Sequence, residues 1–362
     1  MATKKPKPKQ KPKPKPKQKP KSNKKNIFII LGIIFCLACL VTYNAILRPS
    51  IHTPNGTDTY LFAVPTGSTY ESLTQKLRNE LNMSNSRSFL LLADFVMKNP
   101  PSPGLYKLHN RMSNKDLLIL FRSGVREYVN FTISFARYAK DVTAQAVKQL
   151  EASQEDFDAL FADKQFLDSL GVNKNTIITL FIPDTYQFKW NTSARQFMER
   201  MHKEYTIFWN EERLAKAQKL GLTPKQVMTL ASIINQETNK NDEKPRIAGV
   251  LFNRLRKGQK LEVDPTIKFA INDFSIKRVV EKHKDAAGNS PYNTYRHTGI
   301  PPGPICTPQK VDIDAVLNPE KHDYYFYCAK INSNHHQFTR TFNEHVNYAN
   351  TYRAWLDKIN IK

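Results

Sequence analysis

The sequence predicts an α+β protein with a single membrane-spanning helix near its N-terminus. Two observations favour this fold class. Residues 27–47 form one long apolar segment without a charge, and the chain after it mixes short alternating strand patterns with capped amphipathic helices. With 362 residues, 40% of them hydrophobic and 11% aromatic, the chain is long enough for two or three domains with real cores.

Residues 1–26 are a cationic tail. Residues 1–25 contain twelve lysines and no acid, so they supply about half of the formal net charge of +23. Lys and Pro alternate here, which predicts disorder because such a segment can bury nothing and repels itself. No aromatic residue interleaves the lysines, so we expect no nucleic-acid partner.

Residues 27–47 are 21 residues without a charge. At about 1.5 Å of rise per residue they can cross a hydrocarbon core of about 30 Å. No Ala-x-Ala cleavage pattern precedes Arg48-Pro49, which favours an anchor over a cleaved signal peptide. The positive-inside rule then predicts a cytoplasmic tail and places the chain after Pro49 on the other side of the membrane.

A short polar linker, residues 48–58, leads to a small α+β subdomain, residues 59–125. Alternation and capping predict a strand, two helices, a strand and a third helix at Thr59–Val64, 68–81, 86–97, Gly104–Leu108 and 113–122. This order resembles the LysM-like module that holds glycan chains.

Residues 126–220 form an intermediate α+β and helical region. A β-rich run at residues 125–135 precedes helical segments near residues 139–150 and 154–160, and one long amphipathic helix is predicted from Ala194 to about Leu220.

The third region, residues 221–362, contains the candidate catalytic group. Thr223-Pro224 is a helix start, and Val227, Leu230 and Ile234 then recur on one face, with Glu237 next on it. A carboxylate against an apolar surface at a helix C-terminus holds its proton tightly, as a general acid must. The alternative is that Glu237 lies at the edge of the core and its carboxylate is exposed to solvent.

Stiff loops follow this helix. Arg246–Arg256 is predicted as a helix and Leu261–Thr266 as a strand entering a turn, before Tyr292–Tyr295 and the Pro/Gly-rich Gly299–Ile305. Aromatic faces, amides and hydroxyls on rigid loops are suited to binding sugars. Ordinary turns rich in Pro and Gly have the same composition.

Cysteine and histidine positions argue against a metal or other cofactor. Cys36 and Cys39 lie in the apolar segment, and whether Cys306 pairs with Cys328 stays open. His335, His336 and His345 lack metal-ligand spacing.

Six motifs in order resemble the YceG-like family of endolytic murein transglycosylases. They are Ala231–Thr238, Asn253–Leu255, Asp264–Thr266, Tyr292–Tyr295, Gly299–Ile305 and the C-terminal His336–Phe338 with Glu344-His345, and the likeness extends over Phe181–Tyr186, Gly104–Tyr106 and the anchor. The resemblance implies cleavage within peptidoglycan strands, between N-acetylmuramic acid and N-acetylglucosamine, leaving 1,6-anhydromuramic ends without water. It also implies a bacterial cytoplasmic-membrane location with an extracytoplasmic catalytic domain, and penicillin-binding proteins or other glycan polymerases as partners.

The family's catalytic glutamate corresponds to Glu237. Many members carry a second glutamate two residues earlier, where this chain has Asn235. The motif residues expected to contact the glycan are Asn253, Asp264, Thr266, Tyr292, Asn293, Thr294, Tyr295, Gly299, Pro302, Phe338, Glu344 and His345.

One carboxyl group suffices for a lytic transglycosylase, whereas a hydrolase generally needs two. Asp264 is expected to fix a turn and Glu262 to face solvent, so neither is expected to act as the second group. The alternatives are a catalytically silent peptidoglycan-binding scaffold and a two-carboxylate muramidase.

Overall fold

The computed structural model describes residues 1–4 and 24–358. The predicted disordered tail therefore lies almost wholly outside the described residues. Helix α1 (Lys24–Thr42) continues through a π-helical stretch, Tyr43–Leu47. Within the described ranges, one helix is long and apolar enough to cross a membrane: Asn26–Leu47, with a mean hydropathy of 2.5 and no part of it buried. Membrane anchors and signal sequences share these properties.

The chain divides into two compact units. The smaller takes in the described residues up to Tyr60 with Ser68–Pro101 and Leu108–Val125, and the larger takes in Leu61–Gly67, Ser102–Lys107 and the described residues from Arg126 onward. The predicted strand-helix-helix-strand order is present, as β1 (Thr59–Val64), α2 (Tyr70–Leu81), α3 (Ser86–Val96) and β2 (Gly104–His109), with β1 paired to β2. The likeness to a LysM-like module stays a prediction.

Helices α2, α3 and α4 (Asn114–Ser123) form the body of the smaller unit. Side-chain caps start two of them: Thr69 accepts the Ser72 N–H before α2, and Ser113 accepts the Asp116 N–H before α4. Their apolar faces meet in a core of Leu73, Leu77, Phe89, Leu117 and Phe121.

The first part of the larger unit is built on a two-stranded antiparallel ribbon. Strand β3 (Tyr128–Ile133) pairs with β4 (Asp184–Lys189), which places Phe131 opposite Tyr186. Around it lie α5 (Ala139–Ala146), α6 (Gln154–Ala162), α7 (Lys164–Ser169), a 3-10 turn (Ile177–Leu180) and α8 (Ala194–Phe208). Helix α9 (Glu211–Lys219) follows and packs against the second part of this unit. Buried Phe131, Phe157, Phe181, Phe188 and Phe197 form the centre of its core.

The single long helix predicted from Ala194 to Leu220 is wrong. The chain breaks at Trp209, which is buried, and Asn210 starts α9 by accepting the Arg213 N–H at 3.0 Å. Asn is among the strongest N-cap residues, so a new helix starts where the periodicity alone would have continued the old one.

The second part of the larger unit carries the candidate site. Its elements are α10 (Pro224–Glu237), α11 (Lys244–Arg256), α12 (Asp264–Ala270), α13 (Glu281–Ala286), α14 (Lys310–Leu317), antiparallel β5 (Phe326–Ala329) and β6 (His336–Thr339), and α15 (Phe342–Lys358). The strand predicted over Leu261–Thr266 is wrong, because Glu262 has φ +52° and α12 begins two residues later with Pro265 in its first turn.

Candidate active site

Helix α10 positions Glu237 as its last residue. Thr223 caps the helix through the Gln226 N–H, and Val227, Leu230 and Ile234 are buried in the core of this part of the larger unit, as the periodicity predicted. Glu237 follows on this face and is partly buried. Its carboxyl group lies at the helix C-terminus, where the helix dipole disfavours a negative charge.

The environment of Glu237 keeps its carboxyl group protonated. Burial and, to a lesser extent, the nearby Asp264 raise the pKa of Glu237 to about 8, against the opposing effects of the Tyr327 hydroxyl and the Lys268 ammonium. At neutral pH the group therefore holds a proton that it can give to a leaving oxygen. The alternative, a carboxylate exposed to solvent, does not fit the burial that raises this pKa.

Asp264 is the second carboxyl group at the site. It begins α12, yet it makes no side-chain cap there; it accepts the Tyr295 hydroxyl at 2.6 Å. The expectation that Asp264 mainly fixes a turn is therefore wrong. Burial raises its pKa, and Tyr295, Lys268 and Lys284 oppose the rise by stabilising the anion.

Tyr327 on β5 lies over Glu237. Its hydroxyl is buried and makes no well-formed hydrogen bond among the described residues. It is nevertheless close enough to Glu237 to act as a donor that lowers the pKa of that carboxyl group. A buried hydroxyl without a partner costs about 1–3 kcal/mol. The Glu237 carboxylate would satisfy this hydroxyl once it has lost its proton.

Glu237 lies where two cavities meet. The first cavity, of about 490 Å³, is lined mainly by amides, hydroxyls and imidazoles, among them Gln236, Asn239, Ser333, Asn334, His335 and His336. The second cavity, of about 440 Å³, is lined by ionic and aromatic groups, among them Arg254, Arg278, Lys284, Tyr295, His345 and Arg353. Glu237, Ala329 and His336 belong to both linings, so the two cavities adjoin at Glu237.

Three of the residues expected to contact the glycan line the second cavity with Glu237: Asp264, Tyr295 and His345. His345 stacks on Phe326 with ring centroids 5.3 Å apart, and its burial lowers its pKa, so the ring is neutral. The structure thus brings together residues from α10, α12, the 292–295 loop and α15. Among them, Glu237 is a carboxyl group that is protonated at neutral pH.

Three other predicted contact residues make buried hydrogen bonds within the protein. The Asn253 amide is buried and donates to the backbone oxygens of His322 and Tyr324 at 2.9 and 2.8 Å. Thr266 and Thr294 are buried and share a hydrogen bond of 2.8 Å between their hydroxyls. These three side chains are therefore structural rather than available to a glycan.

The remaining predicted residues lie outside the two cavity linings. Asn293 is buried and donates to the Lys284 and Gly288 oxygens, and Tyr292 packs on Phe269 with centroids 4.7 Å apart. Glu344 is exposed and caps α15 through the Arg340 and Thr341 N–H groups, while Phe338 packs behind β5 against Tyr324 and Tyr327. Gly299, at φ +87°, and exposed Pro302 lie in the Pro/Gly loop.

The Asn235 side chain is held by a buried ion pair. Its amide donates to Asp312 at 2.7 Å, and Asp312 is fully buried in an ion pair with Lys244 at 2.8 Å. A carboxylate at position 235 would face that buried carboxylate. The position therefore has a structural role in this chain.

Sequence reasoning missed Tyr327, Arg254 and Glu243. Arg254 donates to the Tyr325, Lys260 and Leu261 oxygens and pairs with exposed Glu262 at 3.0 Å, which fixes one wall of the second cavity. Buried Glu243 accepts from His336 at 2.7 and 3.0 Å. The run of four aromatic residues before Cys328, at positions 324–327, was the one sequence signal for Tyr327.

Cys306 and Cys328 are free thiols. In residues 1–4 and 24–358, no cluster of three or more His, Cys, Asp or Glu side chains is arranged to hold a metal ion.

Comparison with known proteins agrees with this architecture. The sequence model of the YceG-like family matches residues 62–351. An endolytic murein transglycosylase of Bacillus subtilis is 27% identical over 298 residues, covering 78% of this chain and 81% of that protein. One of Streptococcus pneumoniae is 25% identical over 323 residues, covering 78% of this chain and 58% of the longer pneumococcal protein.

A solved structure shares the fold. The crystal structure of a YceG-like protein from Listeria monocytogenes superposes with a TM-score of 0.54 at 24% identity, covering 80% of this chain and 98% of that one. The family match covers well over half of the sequence, so this chain belongs to the YceG-like family.

Proposed function

We propose that this protein is a lytic transglycosylase that cleaves peptidoglycan strands internally, between N-acetylmuramic acid and N-acetylglucosamine, and leaves 1,6-anhydromuramic ends. Family membership and two relatives named endolytic murein transglycosylase support the reaction class. The observation that carries the proposal is the protonated Glu237 at the junction of two cavities.

In the first step, Glu237 donates its proton to the glycosidic oxygen as the bond from that oxygen to muramic C1 breaks. Positive charge develops at C1, and the Asp264 carboxylate, held by Tyr295, is the nearby negative charge that stabilises it. The proton that Glu237 holds at rest leaves with the product sugar.

In the second step, the Glu237 carboxylate accepts the proton of the muramic C6 hydroxyl while that oxygen bonds to C1. The Tyr327 hydroxyl, a donor close to Glu237, stabilises the carboxylate between the steps. The nucleophile belongs to the substrate, so no ordered water is needed. Glu237 ends protonated, ready for another turnover.

The experiment that tests this proposal compares Glu237→Gln with the parent protein, each as the full chain in detergent, on purified glycan strands. Proton transfer is typically worth about 10²–10⁴-fold in rate, so anhydro ends should fall by at least about 100-fold. Glu212→Gln, on exposed α9, is the matched control and should cleave normally. Near-normal cleavage by Glu237→Gln would show that Glu237 is not the catalytic acid. Binding of glycan without cleavage by the parent would instead identify a peptidoglycan-binding scaffold.

The membrane arrangement is part of the same proposal. Asn26–Leu47 anchors the chain in the cytoplasmic membrane, with the lysine-rich tail in the cytoplasm and the chain after Pro49 outside. Protease added outside intact spheroplasts should then digest the chain after Pro49, and full protection would refute this orientation. Nascent glycan is made at the same membrane, so penicillin-binding proteins and other glycan polymerases are the partners we propose.

A further inference from the structure

The second cavity has a cationic side away from Glu237. Arg278, Lys284 and Arg353 all contribute to its lining. Arg278 pairs with Asp357 and Lys284 with Glu281, but both acids are mostly exposed, at 64% and 77%. Such solvent-facing pairs neutralise little of the charge inside a cavity.

Arg353 has no acidic partner within residues 24–358. Its Nη1 donates to the Asn350 side chain at 2.8 Å, and its charge acts on Cys328 and His345, which also line the cavity. The guanidinium is therefore on the α15 side of the second cavity, beside β5. Its other donors are available to a ligand.

The acids within the second cavity already have partners. Glu262 pairs with Arg254, and Asp264 accepts the Tyr295 hydroxyl. Glu237 is protonated at neutral pH. Among the described residues, Arg353 thus forms no ion pair with any of these acids.

The first cavity contrasts with this one. Its lining near Glu237 consists of amides, hydroxyls and imidazoles, such as Asn239, Ser333, Asn334 and His335. Those groups suit a neutral N-acetylated sugar. The two sugars of peptidoglycan differ in charge in the same way, because only muramic acid carries a lactyl ether, which ends in a carboxylate or in a peptide that bears carboxylates.

We propose that the Arg353 side of the second cavity binds a carboxylate carried by the muramic acid substituent, and so sets which glycosidic bond meets Glu237. This inference rests on the proposed transglycosylase activity. With muramic acid held on the Arg353 side, its C1 lies at the junction of the cavities and the neutral sugar enters the first cavity. The opposite register would place a neutral sugar against the guanidinium.

The test uses the full-length protein in detergent and three glycan substrates. One bears intact peptides, one is stripped to the free lactyl carboxylate, and one has its carboxylates converted to neutral methylamides. Arg353→Gln removes the charge, Arg353→Lys keeps it, and Arg87→Gln, an exposed cation on α3 in the other compact unit, is the matched control. The measured quantities are kcat and KM for release of anhydro ends.

On a carboxylate-bearing substrate, Arg353→Gln should lower kcat/KM by about 10- to 100-fold, mainly through KM, as expected for a lost charge-assisted hydrogen bond. Arg353→Lys should recover part of the loss, and Arg87→Gln should show none. On the methylamide substrate, Arg353→Gln and the parent should be equal. Loss only with intact peptides identifies a peptide carboxylate, and loss on the stripped strands identifies the lactyl group.

Two outcomes would overturn this inference while leaving the activity in place. Arg353→Gln could cleave every substrate as the parent does, or it could lose the same factor on the methylamide strands. Absence of anhydro ends with the parent on all three substrates is a different result, since it refutes the proposed function itself.

Discussion

Replacing Glu237 with Gln should stabilise the protein while it removes activity, because the site makes ionisation of this group costly. The pKa of Glu237 is raised from 4.5 to about 8 by burial and by Asp264. Below pH 4.5 the folded and unfolded states are both protonated, so there is no cost. Between pH 4.5 and 8 only the unfolded state ionises, and stability falls by about 1.4 kcal/mol per pH unit.

This difference reaches about 3 kcal/mol at pH 7 and levels off near about 5 kcal/mol above pH 8. Gln has a similar shape and no charge, so Glu237→Gln should lack the penalty. The gain in stability should be absent near pH 4, about 3 kcal/mol at pH 7 and largest at pH 9. For a unit of this size, about 3 kcal/mol corresponds to a rise in Tm of several degrees.

The assay is differential scanning calorimetry of the full chain in detergent at pH 4, 7 and 9, with Glu212→Gln as control. Glu212 is mostly exposed and pairs only with Lys216 on α9. Its replacement should change Tm little at any of these pH values. A gap between parent and Glu237→Gln that is constant with pH, or that narrows towards pH 9, would refute the electrostatic account of the site.

Three further changes test the neighbours of Glu237 and the structural residues. Asp264→Asn removes the nearby charge and should lower the pKa of Glu237, moving the basic limb of the pH profile of kcat/KM to lower pH. Tyr327→Phe removes the donor that stabilises the anion, so the same limb should move to higher pH while kcat falls about tenfold; shifts in the same direction for both variants would contradict the assignment. Asn253→Ala should cost about 2–3 kcal/mol in the free energy of unfolding, because two buried backbone oxygens lose their donor. Calorimetry of that variant should detect the loss, and a raised KM at unchanged stability would instead restore Asn253 as a glycan contact.

The helix that carries Glu237 could be predicted because its signals are local. Thr223 caps it, Pro224 occupies the first turn, and the apolar spacing through Ile234 places Glu237 on the buried face. Those interactions join residues within four positions of one another, so the sequence displays them directly. The same holds for the caps of α2 and α4.

The wrong predictions concern features of the structure that depend on contacts with a distant part of the chain. The break between α8 and α9 depends on burial of Trp209 as well as the Asn210 cap, and only the cap is visible locally. Asp264 bonds Tyr295, 31 positions away, so its neighbour Pro265 suggested a turn role that the carboxylate does not have.

Some polar motif residues make structural hydrogen bonds that the sequence does not reveal, for a related reason. Buried polar groups must be hydrogen-bonded, and Asn253, Asn293 and Thr294 meet that need for backbone brought close by the fold. A sequence pattern cannot separate such residues from those that bind a ligand. Tyr327 was missed for the opposite reason, since its role depends on the pairing of β5 with β6 and on the position of α10 beneath it.

The most direct test of the central claim is the origin of the oxygen at the new glycan end. Purified glycan strands are cut by the full-length parent protein in water labelled with oxygen-18, and the products are weighed by mass spectrometry. A single acid-base at Glu237 with the muramic C6 hydroxyl as nucleophile predicts anhydro ends that are one water lighter than reducing ends and carry no label. Reducing ends that carry oxygen-18 at C1 would contradict it and would assign Asp264 to activating a water, as in a two-carboxylate muramidase.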